Sequence, residues 1–171
     1  MEGRLVGEKL SLANGFADYA KPFLEKSALS ATELKGLVDV DWQYRNGATQ
    51  ALLIKLRDVA VVDGEKRFAL HSINADIPWH AQVQSMAHVA FADGELMGLS
   101  LGATQWPIQM RGNNFMLPTA TLPILDGRLE VNDFHLHNVN DTWQWNFSST
   151  LTSISMQKLS TALHWPEMHG S

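Results

Sequence analysis

Between residues 32 and 44 the chain keeps a period of two. Leu34, Gly36, Val38, Val40, Trp42 and Tyr44 fall on one side of an extended chain, and Glu33, Lys35, Asp39, Asp41 and Gln43 on the other. A helix would spread these residues around its circumference, whereas successive side chains of a strand point to opposite faces. Only Leu37 breaks the pattern, so the segment is predicted to be a long strand with one buried face. Asn46-Gly47 follows directly, and both residue types tolerate the positive φ that a two-residue hairpin demands. The stretch TQALLIKLRDVAVV then returns with Leu52, Ile54 and Leu56 in phase. This hairpin constrains the rest of the chain, because a sheet face that is apolar on one side needs further strands beside it.

Three more turn signals, Asp63-Gly64, Asp93-Gly94 and Asp126-Gly127, are each flanked by alternating segments. They predict a run of antiparallel hairpins, with a weak repeat between DGELMGLSL and DGRLEVNDF. FALHSINADIPW and MQKLSTALHWP both read as a mixed strand running into a Trp beside a Pro, and the end, LHWPEMHGS, reads as strand followed by a cut from a longer chain. Pro107, Pro118, Pro123 and Pro166 fall near expected strand ends, where a missing amide donor does least harm. Before the first strand, Leu12, Phe16, Tyr19 and Phe23 recur at spacings of four, three and four, one face of a helix over residues 8 to about 26. Asn14-Gly15 and Pro22 weaken it enough that two short helices are equally consistent. The expected organisation is a helical segment over 1–31 and an antiparallel β region over 32–171.

On DTWQWNFSS the residues Trp143, Trp145 and Phe147 point one way and Gln144, Asn146 and Ser148 the other. A row of large aromatics needs a cover, and the N-terminal segment is short for a sheet of about ten strands. Either the sheet folds over on itself or part of its apolar face stays open to a ligand.

Chemistry is sparse. His135 and His137 lie two apart and share a face of a strand, a geometry found in zinc sites, but a third and fourth ligand would have to come from Asp133, His164, Glu167 or His169. The plainer reading places both imidazoles on a wet polar face. Asp39 and Asp41 share a face where solvated acids are ordinary occupants. No nucleophile elbow, phosphate-binding Gly-Lys loop or dinucleotide fingerprint is present. The chain has no cysteine, which removes disulfides and thiolate metal sites. Its net charge is -5 and its 13 Lys and Arg form no run, so no nucleic-acid partner is expected. No segment approaches the roughly 20 apolar residues of a membrane span, and the start lacks a secretory signal. No enzyme activity, metal or cofactor is expected.

FALHSINADIPW, DGRLEVNDFHLHN and DTWQWNFSSTLTSISMQKLSTALHWPEMHG together resemble the middle of the YdbH-type proteins, envelope proteins grouped with the AsmA-like and TamB-like families and also labelled dicarboxylate transport domains. The resemblance covers most of residues 32–171. It implies a mainly β protein whose long antiparallel meander curls into a groove or taco, part of an elongated periplasmic chain anchored in the inner membrane. It further implies phospholipid transport between inner and outer membranes, with acyl chains, neighbouring β-groove segments and an outer-membrane lipoprotein as partners. Val38, Val40, Trp42, Leu52, Ile54, Leu56, Leu129, Val131, Trp143, Trp145 and Phe147 would then line or floor the groove. Alternation slips at Asn132-Asp133, where Leu129 and Val131 give way to Phe134 and Leu136, and this predicts a bulge. Two other readings stand beside it. A closed β-sandwich binding or scaffold module would cover Trp42, Trp143 and Trp145 completely, and an enzyme would bring His135, His137 and a carboxylate together.

Overall fold

A computed structural model describes residues 2–13, 32–140 and 142–162. Among these residues eleven strands form one sheet: β1 (Glu2–Ser11), β2 (Thr32–Arg45), β3 (Ala48–Asp63), β4 (Phe68–His80), β5 (Ser85–Phe91), β6 (Asp93–Leu96), β7 (Leu99–Leu101), β8 (Thr104–Arg111), β9 (Asn114–Ile124), β10 (Gly127–Val139) and β11 (Thr142–Thr152). A short helix, α1 (Met156–Ala162), follows. The chain is mainly β, an antiparallel meander curled so that a groove can form.

The order across the sheet is β1-β2-β3-β4-β5-β8-β9-β10-β11, with β6 bonded to β4 and β7, and β7 to β9. β5 and β6 both pair with β4, so they are one pass of chain bent at Ala92. β7 and β8 both reach β9 and form a second bent pass. The meander therefore has nine passes, each antiparallel to the last.

Turn chemistry accounts for the reversals. Arg45 pairs with Ala48 around Asn46 and Gly47, both at positive φ, as the sequence predicts. Asp63-Gly64 opens a longer loop in which the Asp63 carbonyl accepts the Lys66 N–H at 2.9 Å. Asp93-Gly94, expected to be a turn, lies inside β6, and the reversal falls four residues later at Met97-Gly98 (φ 51° and 82°). The physical reason is β4, whose edge continues past the bend at Ala92 and takes up the backbone groups of Asp93 and Gly94. Around Asp126-Gly127 the two turn residues are Leu125 and Asp126, both at positive φ, while Gly127 already pairs with Ile124.

Two further expectations are corrected. Glu2–Ser11 is a strand, not the start of a helix: β1 lies antiparallel to β2, with Leu5 opposite Trp42 and Leu10 opposite Val38. An open sheet edge offers hydrogen bonds that outweigh a weak helical stripe, and one ion pair and one backbone-to-carboxylate hydrogen bond fasten it. Arg4 grips Asp41 with two nitrogens, and the Lys9 N–H donates to Asp39 at 2.7 Å. Leu12 is buried in the core, while Phe16, Tyr19 and Phe23 lie outside the described residues. At the other end, Met156–Ala162 is helix rather than strand. Ser155 caps it, its Oγ accepting the Lys158 N–H at 3.3 Å, and Met, Gln, Lys, Leu and Ala are good helix formers. His164, Glu167 and His169 lie outside the described residues.

The passes are long; β3 alone has 16 residues, about 50 Å of extended chain. Strands of this length stay in one sheet only by bending, and the register shifts show where. Lys9, Gly36, Asp58 and Ser72 take positive φ at shifts in β1, β2, β3 and β4. The core gathers around this line of bulges: Val38, Val59, Ile73, Phe91, Leu101, Ile124 and Leu125 are buried, with Leu159 of α1 packed against them.

Candidate functional site

Cross-strand pairing decides which side chains share a face, because directly opposed residues project to the same side. Trp42 is opposite Leu52, Val40 opposite Ile54 and Val38 opposite Leu56. These continue onto β4 as Trp79, Ile77 and Ala75, and Ala75 leads through Val89 to Trp106. Met110 of β8 faces Phe115, which begins the second half of the same face. There Phe115 opposes Leu136 and Leu122 opposes Leu129, and Leu136 opposes Trp145 on β11. All eleven residues singled out in the sequence therefore lie on one face, the face that also carries the core.

The slip at Asn132-Asp133 is a bulge, as the alternation predicts. Asp133 takes φ 52°, and pairing with β11 shifts by one residue between Asn132 and His135. Pairing with β9 keeps its register there, so β9 changes face in step: Phe115 and Leu117 on one side of the irregularity match Ala120 and Leu122 on the other. The bulge restores the apolar row rather than interrupting it.

Along this face burial is uneven. Val38 is 2% exposed and Phe91 5%, yet Trp42 is 40% exposed, Trp143 51%, Trp145 64% and Phe147 46%. Trp145 stacks on Phe147 with ring centres 5.4 Å apart, and Phe115 meets Trp143 at 6.1 Å. An apolar hollow of about 190 Å³ lies between them and the core, lined by Trp106, Leu117, Ala120, Leu122, Leu129, Val131 and Phe134. It contains Leu129 and Val131 of the sequence set. A larger cleft, about 920 Å³, lies beside α1 and the turns at Met97-Gly98 and Leu125-Asp126, spanned by the Lys158–Asp126 ion pair at 2.6 Å. None of the eleven residues lines it, and nothing in the sequence pattern foreshadowed it, because it depends on where α1 docks.

The opposite face is polar. Asp39 accepts the Lys9 backbone N–H and the Arg57 guanidinium, and these contacts hold its carboxyl below the usual range. Asp41 is lowered by its hydrogen bonds from Arg4. Both carboxylates stay ionised at neutral pH, so neither has the raised affinity for a proton that a general acid needs. His135 sits between Met116 and Asn146, and His137 between Asn114 and Gln144, on this face as expected but half-buried rather than open. Among the described residues no three His, Asp or Glu side chains converge as metal ligands.

Comparison with protein-family models, curated proteins and solved structures finds no match. Among the described residues no helix is long and apolar enough to cross a membrane.

Proposed function

We propose that this chain is a non-enzymatic segment of a periplasmic, bridge-like envelope protein, and that its apolar β face shields phospholipid acyl chains moving between inner and outer membranes. The observation that carries the reading is the open half of that face: Trp42, Trp143, Trp145 and Phe147 continue the core's own surface yet remain 40–64% exposed. Each methylene withdrawn from water onto such a surface gains about 0.8 kcal/mol without any directional contact. A groove of this kind needs continuity of apolar side chains and no catalytic group. The sheet also leaves an uncharged edge for a neighbouring segment, since among the described residues β11 bonds only β10. Anchoring in the inner membrane and an outer-membrane lipoprotein partner belong to the same proposal, on the strength of the resemblance.

The closed-sandwich alternative requires Trp42, Trp143 and Trp145 to be covered, and their exposure speaks against it. The test is native mass spectrometry and lipid extraction of the purified chain, with photo-reactive residues at positions 42 and 145. Bound phospholipid, crosslinking at both positions and loss of lipid in Trp145→Glu are expected. Absence of bound lipid together with no crosslinking to added lipid at either position would overturn the reading. Position 145 is exposed enough that the substitution leaves stability within about 1 kcal/mol.

A further inference from the structure

Five of the six arginines have a carboxylate partner: Arg4 with Asp41, Arg45 with Glu2, Arg57 with Asp39, Arg67 with Asp63 and Arg128 with Glu130. Arg111 has none among the described residues, in a chain with 18 acids to 13 bases. It stands on the polar face, at the end of β8. Pairing across the strands puts Arg111, Asn114, His137 and Gln144 in one transverse row and Gln109, Met116, His135 and Asn146 in the next. With Gln84 from the preceding loop, Gln109, Arg111, Asn114, His135 and His137 line a hollow of about 240 Å³, which Met110, Phe115, Met116 and Leu136 also border and no carboxylate lines. Asp133, two residues before His135 on the same strand, stands at the bulge and is not part of the lining. His71, by contrast, has its own acid, Asp93, at 2.6 Å.

We propose that this hollow is a phosphate-group site. An unpaired guanidinium presents a planar fork of N–H donors that matches an oxyanion, and it is the preferred residue for such groups. Two imidazoles and three side-chain amides around it supply more donors than the two oxygens of a carboxylate can use, whereas a phosphate group offers three or four. No acid in the lining opposes an anion at close range. The His135-x-His137 pair, which meets no third metal ligand among the described residues, acquires a role here as anion donors. The site lies on the face opposite the apolar groove, so it stands independently of the lipid reading. The phosphate group can belong to a free small molecule or to a lipid headgroup.

Inorganic phosphate is titrated into the protein while the ring signals of all histidines and the Arg111 side-chain N–H are followed by NMR. In parallel, flotation measures binding to phosphatidylglycerol vesicles. Shifts confined to Arg111, His135 and His137, with affinity at least about tenfold weaker in Arg111→Gln, are expected, tenfold being the 1.4 kcal/mol scale of one charge-assisted contact. Vesicle binding that also falls in Arg111→Gln assigns a headgroup as a source, and phosphate shifts without such vesicle binding assign a free phosphate; either supports the site. Arg111 and its neighbours are surface groups, so an unchanged thermal melt shows that the variant folds. Equal phosphate affinity in wild type and Arg111→Gln, or no shift at His135 and His137, would sink the proposal. Trp145→Glu is expected to leave phosphate binding unaltered, which separates failure here from failure of the groove.

Discussion

Asp63, at the end of β3, is 1% exposed, and the Arg67 guanidinium closes over it. Arg67 Nε donates to Oδ2 at 2.8 Å, Nη2 to Oδ1 at 2.9 Å and its backbone N–H to Oδ2 at 3.0 Å. Burial alone would raise the carboxyl's pKa, but the Arg67 hydrogen bonds prevail and lower it from 3.8 to about 2. Because the folded value is the depressed one, the contribution is present above the unfolded value and is lost as pH falls from about 3.8 toward about 2. Asp63→Asn is expected to lower the urea midpoint at pH 7, with the gap to wild type shrinking as the pH approaches 2; a gap that stays constant would contradict this account. In the sequence the residue reads only as the first half of an Asp-Gly turn. Its burial and its partner depend on how the four-residue loop brings Arg67 back.

At the scale of elements, long strands and their bulges act together. Gly36 takes φ 120°, and a Cβ there would stand 2.7 Å from both the Asp58 carbonyl oxygen and the Val59 Cα. Only glycine lets β2 and β3 bend at the same level, and Gly36→Ala is expected to cost about 2 kcal/mol in denaturant unfolding. The bulge in β10 is legible because hydrophobic parity changes within one strand; β3 carries the same switch at Asp58, from Leu52, Ile54 and Leu56 to Val59 and Val61, and β4 at Ser72, from Leu70 to Ile73. The apolar face divides into a packed and an open part, and mutation should separate them. Phe91, 5% exposed and edge-on to Trp106 at 5.6 Å, is expected to cost about 3–5 kcal/mol as Phe91→Ala. Trp145→Ala, at 64% exposure, is expected to change stability by less than about 1 kcal/mol while reducing lipid capture. Equal destabilisation by the two would mean that position 145 is covered in solution.

Taken whole, the molecule is a sheet with two different ends of its own apolar face: one packed around the bulges and α1, the other exposing indoles. The Trp143 and Trp145 rings stand in the open, so addition of a single-chain amphiphile below its micelle concentration is expected to shift tryptophan emission to the blue. Trp145→Phe is expected to diminish that shift. A spectrum indifferent to the amphiphile would count against an acyl-chain groove. The edges differ as well: Glu2–Ser11 carries four charged residues and a bulge, devices that discourage pairing, while Thr142–Thr152 carries no charge. The sequence by itself determined the antiparallel meander, the Asn46-Gly47 hairpin, the bulge beside Asp133 and the common face of all eleven apolar residues, because alternation and turn chemistry are local properties of the chain. Tertiary structure alone decided that Glu2–Ser11 is a strand, that Asp93-Gly94 continues one, that α1 docks on the core, which indoles stay exposed, and that Arg111 and two histidines line one hollow. Each of these depends on which backbone edge or side chain arrives from far along the sequence, and hydrogen bonds offered by a neighbouring strand outweigh weak local preference.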